Sequence, residues 1–430
     1  MFWLARHRAR RYLRGSLFLA PTASILLALA VAPAVRWIDD RTRWTLLGFG
    51  AAGASAVVSG LSSSLLALIV FAFSILLLAI QIAGGQLSPR IIATIFRTPF
   101  LKAAISVFVF SYAYSLAALS RIGDRVPQLP VTLAIAASLS SLALFIYLVQ
   151  RVGEAFRPGT LMTYVAAETR KVIGAMYPRP FAPGGDHAVL ALDTSRPDRV
   201  VAQAQSAHVV LAFDAEGLRA IATRCGCVVE LVPQVGDFVP AGDPLFRLYG
   251  AGAPAAREAE LRSRVAFGVE RTMEQDPEFG FRIIVDIASK ALSPAINDPT
   301  TGVLAVDQLH HLLHLVAGRQ LDTGVVRDEA GEVRLVYRTP DWEDFVALAA
   351  TEVRVYGATN PQVTRRLRAM YDHLLRVVPE ERAEALRREV ALLEGTLEAA
   401  WPSPADRAIA GAADLQGFGG RRPPIAGPDV

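Results

Sequence analysis

The hydrophobic pattern of the chain changes near residue 158. Before that point apolar residues form long uncharged runs, and the longest extends from Trp44 to Pro89 without Asp, Glu, Lys or Arg. Because a helix crosses a bilayer with about 20 apolar residues, these runs predict transmembrane helices. We predict a transmembrane domain of residues 1–158 with four spans, at about residues 16–36, 62–84, 103–120 and 130–150.

The longest run would also accommodate two crossings, which would give five spans in total. Positively charged residues concentrate on the cytoplasmic side of membrane proteins, so the positions of Arg and Lys distinguish the two topologies. Four spans place the Arg-rich N-terminal segment, residues 90–102 and the segment after residue 150 on one side. We therefore expect a multi-pass membrane protein with both termini in the cytoplasm.

The first half of the longest run is rich in Gly, Ala and Ser. Small residues recur every four positions from Gly48 to Ser64, which places them along one face of a helix. Such a face permits close packing of another helix, and it also suits a pore lined by several subunits. The candidate pore or helix-packing residues are Ser59, Gly60, Ser62, Ser63, Ser64 and Gln81.

The pattern after residue 158 is typical of water-soluble protein. Short β-branched or alternating runs at 200–203, 209–213, 228–232 and 245–248 predict strands. Their Gly-Asp turns resemble the end of a small biotinyl or lipoyl-type barrel, although the region lacks the lysine that would carry such a cofactor. The predicted fold is an α-helical membrane domain plus a cytoplasmic α+β region. That region comprises a linker helix and barrel-like module (159–250), a helical domain (251–401) and a disordered tail (402–430).

Several helices of the C-terminal region begin with a capping residue followed by proline. These pairs are Asp276-Pro277, Asp298-Pro299, Thr339-Pro340 and Asn360-Pro361. The turn around residues 293–301 joins two predicted helices, and its capping groups suit either an ion or ligand site or a rigid joint. The candidate residues for this site or joint are Arg271, Asp276, Asn297, Asp298, Thr300 and Thr301.

Charge and motifs exclude several classes of function. The net charge is only +4, and it forms no concentrated basic face of the kind that nucleic-acid binding requires. His310, His311 and His314 share a helix with Asp307, but without the Glu of a zinc-protease motif they are expected to form helical surface. We find no nucleophile elbow and no phosphate-binding glycine loop. The sequence thus predicts no enzyme activity, no cofactor and no metal site.

A set of motifs resembles the bacterial predicted membrane proteins known as domain-of-unknown-function family 2254. The resemblance extends over most of the chain to about Trp401, and it implies an integral membrane protein with a cytoplasmic domain without supplying an activity. The residues that carry it are Gln86 to Arg90, Val235 to Phe238, Phe267-Gly268, Glu270 to Thr272, Glu274 to Phe279, Val285 to Ala288, Ser293-Pro294, Ile296 to Thr301, Trp342 to Phe345 and Tyr356 to Ala358.

Two functions are compatible with this organisation. The first is a homo-oligomeric channel or transport-type assembly whose second spans surround a shared path controlled by the cytoplasmic domain. The alternative is a membrane-anchored scaffold or sensor in which the small-residue face only packs helices. The bilayer and further copies of the chain are the expected partners, and the sequence identifies no cytoplasmic partner.

Overall fold

The computed structural model of the chain describes residues 3–4, 6, 16, 18–42, 48–86, 99–123, 125–155, 157–184, 196–204 and 207–418. The chain forms two compact units, a membrane unit of residues 9–160 and an α/β unit of residues 1–8 and 161–430. The expected modules 159–250 and 251–401 therefore belong to one unit rather than two.

The membrane unit confirms the prediction of four spans. Within the described residues, four helices are long and apolar enough to cross a membrane. These helices are α1 (Leu19–Thr42), α2 (Ala51–Gln86), α3 (Pro99–Leu119) and α4 (Gln128–Ala155).

Helix α2 is continuous over 36 residues. At 1.5 Å per residue it is about 54 Å long, whereas the hydrocarbon core of a bilayer is about 30 Å thick. The Gly/Ala/Ser half from residue 51 to residue 64 is therefore an extension of the second span. A helix of this length has to tilt or to extend beyond the hydrocarbon core.

Small side chains and polar groups at the helix ends hold the membrane unit together. Ala28 and Ala32 of α1 pack against Tyr114 of α3. At one end of the bundle the Asp39 carboxylate accepts a hydrogen bond from the Leu129 amide at 2.9 Å. There the Gln128 side chain also accepts from the Phe49 N–H (3.1 Å) and donates to the Phe49 carbonyl (2.9 Å). These bonds satisfy backbone groups that the helix ends would otherwise leave unpaired.

The described residues of the α/β unit form two sheets, in the strand orders β1-β5-β3-β8-β7 and β4-β2-β6. The predicted barrel-like module is not confirmed, because the described strands form open sheets. The hairpin of residues 325–337, in the region predicted to be only helical, adds β8 parallel to β3 and widens the first sheet. The strands are β1 (Arg199–Ala202), β2 (His208–Phe213), β3 (Val228–Leu231), β4 (Phe238–Val239), β5 (Pro244–Tyr249), β6 (Val265–Gly268), β7 (Val325–Arg327) and β8 (Val333–Tyr337).

Nine helices complete the described part of this unit. One apolar cluster packs strands of both sheets against α6, with Phe246, Leu218 and Val229 among its buried residues. The helices are α5 (Pro158–Met176), α6 (Ala215–Cys225), α7 (Glu258–Arg262), α8 (Pro277–Ala291), α9 (Pro299–Ala317), α10 (Trp342–Gly357), α11 (Pro361–Val377), α12 (Glu380–Ala400) and α13 (Pro404–Gly411).

The C-terminal residues differ from the expected disordered tail. Helix α13 forms because Ser403 caps it and Pro404 occupies its first turn. Its Ala410 carbonyl accepts a hydrogen bond from the Thr364 hydroxyl at 2.8 Å, which fixes α13 on α11. The remainder of the predicted tail, residues 419–430, lies outside the described residues.

The N-terminal residues pack within the α/β unit. Trp3 and Leu4 lie against Leu211 and Ala212 of β2 and Ala266 of β6. Residues 1–8 thus belong to the same compact unit as residues 161–430.

Candidate functional sites

One face of α2 is exposed along its whole described length and changes character halfway. Its first half presents small or hydroxyl residues, and the second half presents large apolar ones such as Phe71, which is 63% exposed. Apart from Gly60 itself, its chain neighbours and the backbone of its own helix, no described atom lies within 4 Å of the place that a Cβ on Gly60 would occupy. The exposed small positions are Ala52, Gly53, Ala56, Ser59, Gly60, Ser63, Ser64 and Ala67, which we call the small face.

The predicted pore or packing residues divide between two environments. Ser59, Gly60, Ser63, Ser64 and Gln81 are exposed. Ser62 is buried, and its hydroxyl donates to the Val58 carbonyl at 2.8 Å.

A second group of hydroxyls, which was not predicted from the sequence, lies between α3 and α4. The Ser141 hydroxyl donates to the Ser111 hydroxyl at 2.9 Å, and both residues are buried. Ser115 and Tyr114 are buried nearby on α3. The spacing of Ser111 and Ser115, four residues apart in an apolar run, was the signal that could have revealed them. Serines at helix interfaces allow close approach and exchange hydrogen bonds.

In the α/β unit, Arg271 is the centre of a polar cluster at the N-terminus of α8. Its Nε and Nη2 donate to the two carboxylate oxygens of Asp276, and the Nη2–Oδ1 distance is 2.9 Å. Nη2 also lies 3.5 Å from a carboxylate oxygen of Glu278. Asp276 in turn caps α8 by accepting from the Phe279 amide at 3.0 Å. The structure therefore pairs Arg271 with Asp276, and it positions both by the start of α8.

A tight turn brings β-sheet residues onto this cluster. The Gln234 side-chain amide donates to the Glu278 carboxylate at 3.1 Å, and the Gln234 backbone N–H donates to the Asp237 carboxylate at 2.9 Å. Gly236 adopts a left-handed φ of 96°, and a Cβ there would lie 2.4 Å from the Arg271 guanidinium. Glycine meets both requirements, because it tolerates positive φ and leaves room for the arginine. Motifs that are far apart in the sequence thus form one site.

The charges at this site are unbalanced. Burial raises the pKa of Glu278 to about 7, and although Arg271 opposes the shift, the carboxylates of Asp276, Asp344 and Asp237 act in the same direction as burial. The Tyr177 hydroxyl is also close, and burial raises its pKa. A carboxyl that titrates near neutral pH in a partly buried site is a recognised sign of a functional group.

The turn that follows α8 forms a separate structure. Asp298 caps α9 by accepting from the Thr301 amide (3.1 Å) and the Thr301 hydroxyl (2.6 Å). Asn297 has a left-handed φ of 49°, and Thr300 is exposed. Because the 15 residues of α8 span about 22 Å, Arg271 and Asp276 lie at the opposite end of that helix from these four residues. The six candidates therefore do not form one site.

The histidines of α9 belong to an interhelical network. Arg366 of α11 donates to Asp307 at 2.7 Å and contacts His310 Nδ1 at 3.0 Å. His310 Nε2 lies 2.8 Å from His373 Nδ1. Burial, followed by the Arg366 charge, lowers the pKa of His310 to about 3. His310 is therefore neutral, with its proton on Nε2, because a guanidinium can only donate to Nδ1. No group of three or more potential metal ligands was found among the described residues.

Comparison with known proteins assigns the chain to a family. The model of the family described as "Predicted membrane protein (DUF2254)" matches residues 14–373. An uncharacterized protein of Mycobacterium bovis and one of Mycobacterium tuberculosis are each 28% identical over 414 residues, which cover 93% of this chain and 79% of the relative. No solved structure matches the chain. The chain belongs to the predicted membrane protein family DUF2254.

Proposed function

We propose that the protein is a homo-oligomeric assembly of channel or transport type in the bacterial inner membrane. In this assembly the small faces of α2 from several copies surround a shared path, and the α/β unit controls that path from the cytoplasm. Both termini are then cytoplasmic. The proposal includes no catalysed reaction.

The observation that carries this proposal is the small face itself. The other exposed positions of α2, and those of α1 and α4, include many large apolar side chains that suit lipid, such as Leu26, Leu77 and Ile146. The small face instead presents Gly, Ala and Ser over about four turns of helix. Small and hydroxyl groups suit close helix contact or a hydrated path better than contact with lipid tails.

Charge supports the proposed orientation. The Arg-rich N-terminal segment precedes α1, and Trp3 and Leu4 pack within the α/β unit. The positive-inside rule assigns that side to the cytoplasm.

A membrane-anchored sensor or scaffold is the second candidate function. The observation that favours it is the polar cluster around Arg271, which joins three parts of the α/β unit without any involvement of the membrane helices. In this alternative the small face would only pack helices.

The first experiment measures the mass of the detergent-solubilised particle, corrected for bound detergent. A ring of three or more subunits supports a shared path, whereas a monomer contradicts it. Ion flux from liposomes that contain the protein then separates the two functions. The test variants are Ala56→Leu and Gly60→Leu. The matched control is Val70→Leu, in the apolar half of the same exposed face.

The two functions predict different results for these variants. If the small face lines a path, the two leucine variants lose flux and retain the assembly, while Val70→Leu behaves as the wild type. If the wild type in liposomes carries no flux, and the leucine variants dissociate the particle, the scaffold or sensor is supported instead.

A further inference from the structure

We propose that Glu278 is a pH-sensitive latch, which holds the turn of residues 234–238 on the N-terminus of α8 and releases it when its carboxyl loses a proton. The latch belongs to the α/β unit alone, so it does not depend on transport through the membrane unit. The structure has the closed arrangement, in which Gln234 donates to Glu278.

The latch joins two parts of the unit that are also linked by Gln275, whose side chain accepts from the Phe213 N–H of β2 (3.0 Å) and donates to the Phe213 carbonyl (3.3 Å). The turn is hydrogen-bonded to β2, since the Gly236 amide donates to the Val210 carbonyl (2.8 Å) and the Val210 amide donates to the Asp237 carbonyl (2.9 Å). Glu278 lies in the first turn of α8. The Gln234–Glu278 contact therefore connects the three-stranded sheet with the helical part of the unit.

Charged groups from four elements face Glu278. Asp276 caps α8, Asp237 lies in the turn, Asp344 lies in the first turn of α10, and Arg271 follows β6. The Tyr177 phenol, directly after α5, also lies close to Glu278. Arg271 is the only cation among these groups, and it donates two hydrogen bonds to Asp276.

The charge count explains why protonation would close the latch. With Glu278 neutral, one guanidinium already faces three carboxylates, and with Glu278 ionised it faces four. A neutral carboxyl still accepts the Gln234 hydrogen bond, and its hydroxyl becomes a donor toward the neighbouring carboxylates. An ionised carboxyl would instead repel Asp237, which lies in the turn that Glu278 holds.

The direction of the response follows from the titration of Glu278. Burial raises its pKa to about 7, so the closed state favours the protonated form. Because the ordinary pKa of this carboxyl is about 4.5, closure is strongest below that value, weakens as pH rises, and has lost this contribution above about 7. Acidification of the surrounding solution would tighten the junction, and alkalinisation would loosen it.

Hydrogen–deuterium exchange of the full-length protein in lipid nanodiscs tests the latch at about pH 6 and about pH 8, with exchange times scaled for the intrinsic pH dependence of amides. In the wild type we expect peptides covering residues 232–240 and 276–282 to exchange several-fold faster at the higher pH. In Glu278→Gln, which keeps the hydrogen bond and cannot ionise, exchange should stay slow at both values. Glu274→Gln, an exposed carboxyl in the same loop, should retain the wild-type difference.

A second variant keeps the proposal testable if Glu278→Gln does not fold. Gln234→Ala removes the partner on the turn, so both peptides should exchange fast at either pH. The proposal is overturned if the wild type has no pH difference, if Glu278→Gln keeps that difference, or if Gln234→Ala matches the wild type.

Discussion

The membrane unit and the α/β unit bury their polar groups in different ways. Inside the membrane unit the buried groups are mainly hydroxyls such as Ser111 and Ser141, and its buried carboxylate, Asp39, lies at a helix end. The α/β unit buries whole guanidinium groups, among them those of Arg366 and Arg382. Removal of one partner from a buried charge leaves a large desolvation cost, whereas loss of one hydroxyl contact between membrane helices changes little. Single substitutions should therefore affect the two units very differently.

The largest effect is expected for Arg382→Met. Arg382 is 2% exposed, and its guanidinium donates to the carbonyls of Val316 (2.8 Å), Ala317 (3.0 Å) and Arg319 (2.9 Å), which end helix α9. Methionine fills much of the volume but removes the guanidinium donor, and only the Val316 carbonyl keeps a bond from the Arg319 amide (2.9 Å) among the contacts described. We expect the free energy of unfolding to fall by about 3 kcal/mol. Denaturant unfolding of the full-length protein, followed by tryptophan fluorescence, measures this loss.

The control for this prediction is Arg387→Met on the same helix. Arg387 is half exposed and pairs with Glu380 and Glu384 on the surface, so its loss should leave the free energy of unfolding close to that of the wild type. Equal losses for the two variants would contradict the special role of the buried guanidinium.

An intermediate effect is expected for Gly280→Ala in α8. A Cβ at this position would lie 1.9 Å from the Thr169 hydroxyl of α5, so the two helices would have to separate. Overpacking of this kind costs about 1–3 kcal/mol, which the same unfolding measurement detects. Gly395→Ala is the matched control, because the space around that helical glycine is open and alanine should stabilise the helix by up to about 1 kcal/mol. Partial rescue of Gly280→Ala by Thr169→Ala, which removes the hydroxyl and the methyl but keeps a Cβ 2.8 Å away, would assign the cost to this contact.

Local signals predicted much of the fold. Asp276, Asp298 and Asn360 cap helices, as the sequence predicts. Thr339 does not cap, because Asp341 and Asp344 form a capping box two residues later. The sheet pairing was not predictable in this way, since β3 pairs with β8 about a hundred residues further along the chain. Pairing at that distance depends on which strand edge is left open, and periodicity does not record this.

The sequence identified members of the Arg271 cluster but not their arrangement. Arg271 and Asp276 are close in sequence, and both are among the candidate residues that the sequence predicts. Gln234 and Glu278 are 44 residues apart, and Glu278 alone resembles any acidic residue of a first helical turn. Its burial, which raises its pKa, results from the packing of the turn and α10 around it. Such a site becomes visible only when the tertiary structure is known.

The smallest effect is expected for Ser141→Ala in the membrane unit. The variant removes the 2.9 Å hydrogen bond to Ser111, while the Ser111 hydroxyl retains its contact with the Ala137 carbonyl at 3.3 Å. Hydrogen bonds between membrane helices contribute about 0.6 kcal/mol on average, because unfolded helices in the bilayer find other partners. We expect a loss of about that size in SDS-induced unfolding, against no change for Ser140→Ala, whose side chain is exposed on the same helix. A loss near that of Arg382→Met would contradict the contrast between the two units, since it would mean that one neutral hydroxyl in the bundle matters as much as a buried guanidinium in the α/β unit.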